Sequence, residues 1–329
     1  MSAARTRLEI DLRAAAPQGA AIAVAEVLHP PAERLHAPPI ALCCVPGGGM
    51  SRRYFDLRVP AGLGNYSMAE HLAARGFAVV LLDPIGVGES SRPDDGFALT
   101  PELLADLNAA AFGEVLAALR EGSSGAALPP LPALVSLGLG HSAGGLLTVY
   151  QQAQQRSHAG LVLLGTAGRG MPSQLSEEEK RYADAPEALR RDLARLARRR
   201  FGSALPTAER GSSELLVRVP LPPPVHAALL EARTELLALV GLASIVPGSA
   251  KPVCDAIDVP IFLGVGAFDI TGDPHEIPAQ FRACPDLTLF VLPQAGHNHN
   301  AAATREALWD RVAAWAESLF ARPGGAPTG

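Results

Sequence analysis

One stretch of the chain places a hydroxyl where the backbone has little steric freedom to spare: Gly140-His141-Ser142-Ala143-Gly144-Gly145, a glycine-x-serine-x-glycine pattern where an apolar run meets a helical one. With 32 glycines in 329 residues the spacing alone says little. The junction is what makes it informative. A serine in a tight strand-to-helix turn holds its hydroxyl above the sheet edge, and flanking glycines avoid the collisions that side chains would make there. The helix that starts at this point adds partial positive charge beside any oxyanion that develops. A serine hydroxyl is a poor nucleophile at neutral pH, so it needs an adjacent base, and the base needs an anion to fix its tautomer.

Such a turn requires a strand ending near residue 140 and a helix beginning near 143, and the surrounding sequence provides both as part of a longer series. Two β-rich segments, Arg7 to Arg13 and Ala21 to Leu28, flank a Pro-Gln-Gly turn that suits a hairpin. Apolar runs then alternate with helical patterns: Ile40–Val45, helix Met68–Arg75, Phe77–Leu82, helix Pro101–Arg120, Ala133–Leu139, helix Ala143–Gln155 and Leu161–Leu164. The runs Val259–Val265 and Leu287–Leu292 resume the series, and Ala301–Phe320 closes it with Leu308, Val312, Trp315 and Leu319 at helical spacing. Continuous Val/Leu runs separated by helices predict an α/β fold with a mainly parallel eight-stranded sheet flanked by helices. Residues 171–250 break the alternation with helical patterns at Ala188–Arg200 and Ala227–Val240. The expected organisation is a core of residues 1–170 and 251–322, a helical cap of 171–250 inserted after the sixth strand, and a frayed tail at 323–329.

On the elbow motif, its place after the fifth strand and the order of elements, the chain resembles the α/β-hydrolase superfamily from about Ile40 to Phe320. The resemblance implies an acid after a later strand, which falls on Asp269 in Gly266-Ala267-Phe268-Asp269, and a histidine after the final strand, which falls on His297 in Gln294-Ala295-Gly296-His297-Asn298-His299. Asp273 and His299 are near competitors, and a histidine directly after Ala-Gly favours His297. Asp83, before Pro84-Ile85-Gly86-Val87-Gly88, resembles a structural turn of the family. Many members carry His-Gly-x or His-Gly-Gly-Gly after the third strand, whereas this chain has Pro46-Gly47-Gly48-Gly49-Met50. By position Gly48 and Ala143 are the expected oxyanion donors, with Gly49 the alternative to Gly48. Gly49, Met50, Arg52 and Arg53 are candidate substrate contacts; the two arginines suit either a polar or carboxylate-bearing group or a structural, solvent-facing role. Leu236, Leu237, Val240 and Ile245 of the cap are candidates to roof an acyl pocket.

The resemblance implies a serine hydrolase acting on a small-molecule carboxylic ester, lactone or thioester through an acyl-enzyme, with no metal or organic cofactor. Ser142 separates the chain from epoxide hydrolases and haloalkane dehalogenases, whose pattern requires an aspartate there. Acyl transfer, thioester release and C–C bond hydrolysis use the same trio, and a ligand-binding protein without turnover is the alternative of another class. Composition bounds these readings. A chain that is 48% hydrophobic and 19% charged is not disordered. A net charge of −5 gives no reason to expect nucleic acid or an anionic membrane, and the arginine-rich run at 190–200 sits in a segment of 11 basic and 10 acidic residues, so it reads as a solvated helix face. The apolar stretch Leu236 to Pro247 is shorter than the ~20 residues that span a bilayer, and Glu9 and Asp11 occupy the place of a secretory apolar core. A cytoplasmic location follows as the expectation, with Cys43, Cys44, Cys254 and Cys284 as reduced packing residues that lack metal-ligand spacing.

Overall fold

Short runs of Val, Leu, Ile and Ala bounded by Gly, Pro and Asp form the central strands, which are covered on both faces. In the computed structural model, which describes residues 3–123, 130–166, 169–207 and 217–321, the strands are β1 (Ala4–Asp11), β2 (Ile22–His29), β3 (Ile40–Val45), β4 (Ala78–Asp83), β5 (Val135–His141), β6 (Leu161–Leu164), β7 (Ile261–Gly266) and β8 (Leu287–Leu292). They make one sheet in the order β1-β2-β4-β3-β5-β6-β7-β8. Every residue of β3, β4, β6 and β7 is buried, as two-sided coverage requires. The expected tail at 323–329 lies outside the described residues.

β1 and β2 pair antiparallel, from Ala4 opposite His29 to Asp11 opposite Ile22. The strand starts and stops earlier than the expected Arg7 to Arg13, because the chain turns at Leu12, whose carbonyl accepts from the Ala15 and Ala16 N–H groups. Pairing from β3 through β8 is parallel. The connections run through helices that cover the faces, among them α1 (Met68–Ala74), α2 (Pro101–Glu121) and α3 (Ala143–Gln155). Alternation along β3 sends Ala41, Cys43 and Val45 into one apolar layer and Ile40, Leu42 and Cys44 into the other. Cys43 and Cys44, adjacent in sequence, therefore pack on opposite faces of the sheet.

Among the described residues between β6 and β7 lie five α-helices: Glu177–Lys180, Pro186–Phe201, Pro223–Glu231, Ala238–Ile245 and Lys251–Cys254. The helix expected over Ala227–Val240 is instead two, separated by extended residues. Long-range pairing takes the backbone there: Met50 bridges Arg233, the Thr234 N–H donates to Gly49 O at 2.9 Å, and the Leu236 N–H donates to Pro206 O at 2.9 Å. Helical periodicity loses to these partners because each bond is unavailable to a continuous helix. Most arginines of Pro186–Phe201 are engaged with carboxylates. Arg195 and Arg199 meet Glu178, Arg190 meets Glu102, and Arg200 meets Glu179. Among the described residues no helix is long and apolar enough to cross a membrane.

Burial of polar side chains in this core makes stability depend on pH. His158, fully enclosed beneath α2 and α3, donates from Nδ1 to Ser136 Oγ (3.1 Å) and accepts from Gln151 at Nε2 (3.0 Å). Burial pushes its pKa down to about 4. The unfolded chain, with an ordinary histidine near 6.5, binds a proton in the window between these values and the native chain does not, so stability falls as pH drops from ~6.5 towards 4. At pH 5 the loss from His158 alone should be about 2 kcal/mol, measured as a lower urea midpoint than at pH 7. Equal midpoints at the two pH values would contradict it.

Candidate active site

Register puts the chemistry at one edge. Val45 pairs with Gly140 and Leu164 with His141, so the glycine loop after β3, the turn after β5 and the loops after β7 and β8 emerge beside one another at the carboxyl ends of the strands. Ser142 occupies the β5–α3 turn at φ 53 and ψ −123. That region costs a residue with a Cβ about 1–3 kcal/mol, so the surroundings must impose it. The Ser142 N–H donates to Leu164 O at 2.8 Å, and its carbonyl accepts from the Leu146 N–H and from Thr166 Oγ1, both at 3.2 Å. The glycines are needed for approach. A methyl group on Gly140 would lie 2.4 Å from Gly145 Cα, and one on Gly144 would lie 2.3 Å from the carbonyl oxygens of both Val45 and Pro46.

The loop after β8 brings His297 over this turn, and the loop after β7 brings Asp269 behind it. The Ser142 hydroxyl donates to His297 Nε2 at 2.8 Å, and His297 Nδ1 donates to Asp269 Oδ1 at 2.7 Å. Asp269 has no exposed side-chain surface and that of His297 is 5% exposed. Burial alone would raise the Asp269 pKa. The facing imidazole of His297 and hydrogen bonds from His297 and His299 outweigh it and hold the carboxyl well below its usual range. Asp269 is therefore an anion throughout the neutral range. A hydroxyl, an imidazole and a buried carboxylate in this chain can deprotonate the hydroxyl and stabilise the imidazolium that results. Of the competitors, Asp273 caps a short turn by accepting from the His275 N–H, and His299 contacts Asp269 rather than Ser142.

His141, inside the elbow motif, lies beneath His297. Its Nε2 donates to the His297 carbonyl at 2.9 Å, and its ring stacks on Tyr54 with centroids 4.4 Å apart. Burial, then the neighbouring His297 and His299, keep its pKa far below that of a free histidine. It is a neutral prop for the loop that carries His297. Gly47 lets the glycine loop close over this ring, since a methyl group there would lie 2.6 Å from His141 Nδ1.

Gly48, Gly49, Met50 and Ala143 all line a cavity of about 470 Å³ that opens on Ser142 and His297. The Met50 N–H is committed to Gly47 O at 3.1 Å, closing the turn. A methyl group on Gly48 would lie 3.5 Å from Ala143 Cβ, so these two positions face each other beside Ser142. Leu236 and Ile245 join the lining of this cavity. Leu237 and Val240 do not; both are buried in the apolar layer that also holds residues of α2 and α3. A second, smaller cavity of about 50 Å³ leaves Ser142 on the other side, between Leu146, Val149, Cys254, Ile270 and Phe281.

Arg52 and Arg53, the candidate substrate contacts, line neither cavity. Arg52 is buried. Its Nη1 pairs with Asp83, its Nη2 with Glu89 at 3.0 Å, and its backbone N–H donates to Asp83 Oδ1 at 2.7 Å. A carboxylate as enclosed as Asp83 is costly without a cation, and Arg52 is that cation. Arg53 is exposed, with Nη2 3.6 Å from Glu89. Met171, Gln174, Arg200 and Ser244 of the inserted segment line the larger cavity, and sequence reasoning missed them because nothing in their spacing distinguishes them from packing residues.

The sequence model of the Alpha/beta hydrolase family matches residues 44–314. No curated protein matches the chain by sequence. Among solved structures, the chain is similar to a thermophilic esterase from Thermogutta terrifontis, at 20% identity and a TM-score of 0.58 over 96% of this chain and 99% of that one. It is similar to a monoacylglycerol lipase from Paleococcus ferrophilus, at 18% identity and a TM-score of 0.59 over 97% and 99%. A haloalkane dehalogenase variant from Bradyrhizobium elkanii matches at 15% identity and a TM-score of 0.59 over 96% and 97%. At these identities the likeness shows the fold, and the fold alone hosts many reactions.

Proposed function

The chain belongs to the alpha/beta hydrolase family, and on that premise we propose that it is a serine hydrolase cleaving a small-molecule carboxylic ester, lactone or thioester. The observation that carries the reading is the unbroken hydrogen-bonded line from Ser142 through His297 to Asp269. Ser142 Oγ attacks the carbonyl carbon as His297 takes its proton, and the carbonyl oxygen becomes an anion held by the Gly48 and Ala143 N–H groups. Collapse expels the alcohol or thiol, which receives the proton from His297 and leaves an acyl-enzyme. Water then repeats the cycle with His297 as base and releases the acid. The helices between β6 and β7 act as a cap, with Leu236, Ile245 and Met171 over the larger cavity. Its volume suits the bulkier arm of the substrate. The smaller cavity accommodates only a few heavy atoms, on a scale of ~10–15 Å³ per water-sized occupant.

A fluorophosphonate and a panel of p-nitrophenyl esters test this directly. One phosphonyl group per chain should attach at Ser142, located by peptide mass spectrometry, and ester turnover should fall in proportion to labelling. An adduct at another residue, or turnover that survives complete labelling, would overturn the assignment.

A further inference from the structure

The buried acid at this site has a second histidine partner. While His297 Nδ1 meets Asp269 Oδ1, His299 Nε2 lies 2.9 Å from Asp269 Oδ2. Neither His299 nor Asp269 has exposed side-chain surface. Backbone donors to the same carboxylate are longer: the Thr271 N–H to Oδ1 at 3.2 Å and the Gly266 N–H to Oδ2 at 3.3 Å. His299 is thus the shortest contact on the oxygen that His297 does not use.

Two observations fix its tautomer. His299 Nδ1 is buried without a hydrogen-bond partner, so a proton there would be an enclosed N–H with no acceptor. A bare Nε2 would also turn its lone pair towards an anionic oxygen. The Gly266 N–H reaches both His299 Nε2 (3.1 Å) and Asp269 Oδ2 (3.3 Å), but a bare Nε2 2.9 Å from the carboxylate would be repelled by it, so the proton sits on Nε2 pointing at Asp269 and the Gly266 N–H is left to Oδ2. Through Nε2–H the ring donates to the carboxylate oxygen that His297 leaves free. The ring cannot drift. A methyl group on Gly165 would lie 3.0 Å from His299 Cε1, and the His141 ring meets it edge-on with centroids 5.6 Å apart. The titratable groups around it are Asp269, His297, His141 and Tyr54. Among the described residues no group of three or more His, Cys, Asp or Glu side chains is arranged to hold a metal ion.

We propose that His299 is a positioning residue, whose Nε2–H fixes the rotation of the Asp269 carboxylate so that Oδ1 stays in line with His297 Nδ1. The inference rests on the reading of Asp269 as the group that orients His297. A carboxylate free to rotate about its last bond would spend part of its time with neither oxygen on the His297 axis, and the tautomer that leaves Nε2 open to Ser142 would lose its support.

The test uses the full chain and three variants. His299→Leu keeps bulk without a donor, His299→Asn offers an amide that cannot reach the Nε2 position, and His299→Gln can place its amide nitrogen there. In His299→Leu and His299→Asn, kcat for ester hydrolysis should fall about 10–100-fold with KM changed by less than about threefold, as expected when a buried supporting hydrogen bond is lost. His299→Gln should recover most of that loss. Proton NMR supplies a readout that packing would not move: the downfield His297 Nδ1–H signal of the phosphonyl adduct should persist in the Gln variant and be shifted or broadened in the Leu and Asn variants. Equal impairment of the Gln and Leu variants, or unimpaired turnover in the Leu and Asn variants, would overturn the proposal. If the unsubstituted chain itself fails to label at Ser142, the serine hydrolase reading fails instead, and the two results are separable.

Discussion

Replacement of Ser142 by alanine should lower kcat for ester hydrolysis by on the order of 10⁴–10⁶-fold, abolish phosphonate labelling and leave the fold intact. The side chain makes one hydrogen bond, to His297 Nε2, at a position that lines the open cavity, so water can replace the lost hydroxyl there. Alanine adds no atom, and its Cβ meets the same φ of 53 that serine already tolerates. The backbone bonds that impose the turn, to Leu164, Leu146 and Thr166, do not involve the side chain. Stability should therefore change by less than about 1 kcal/mol, checked by urea unfolding beside the kinetics. Loss of activity with retained stability separates a reacting group from a structural one. A variant that keeps more than about one tenth of the kcat would remove Ser142 from the reaction.

The sequence carried most of the architecture and a smaller share of the site, and the division follows how local each signal is. Strand runs such as Ile40–Val45 and Ile261–Gly266 are legible because burial on both faces demands an unbroken apolar run. The elbow is legible because Gly140 and Gly144 answer to backbone contacts within a few residues or across one neighbouring strand. The choice between a substrate contact and a structural role for Arg52 stayed open in the sequence for the opposite reason. Its partner, Asp83, is 31 residues away, and only the pairing of β3 with β4 brings the loop after one strand against the end of the other. The helix expected over Ala227–Val240 failed on the same ground, since the bonds that break it run to Gly49 and Pro206. His297 and His299 stand two residues apart in one loop. Their division of labour depends on the backbone path between them, where the His299 N–H folds back to the His297 carbonyl at 3.0 Å, and no composition or spacing encodes that turn.

The pairing of one carboxylate with two histidines makes Asp269→Asn the more revealing substitution at the acid. Its kcat should fall by about 10⁴-fold, the scale on which an amide at such a position enforces the wrong histidine tautomer. The amide has one oxygen and one nitrogen for two sites that each need an acceptor. If the oxygen faces His297, the nitrogen faces His299 Nε2, and His299 must move its proton to Nδ1, which is buried without an acceptor. If the oxygen faces His299, the nitrogen faces His297 Nδ1 and forces the proton onto Nε2, where it points at Ser142 and blocks deprotonation of the hydroxyl. Retention of His299 thus biases the variant towards the inactive arrangement, because the other one strands a buried N–H at a cost of about 1–3 kcal/mol. The double variant Asp269→Asn, His299→Leu removes that bias: the amide oxygen can then turn to His297, and kcat should rise above that of Asp269→Asn alone. Two substitutions that each impair turnover should therefore combine with partial recovery, read as a coupling energy of opposite sign to simple additivity. A double variant slower than Asp269→Asn would mean that His299 does not influence which way the group at 269 faces.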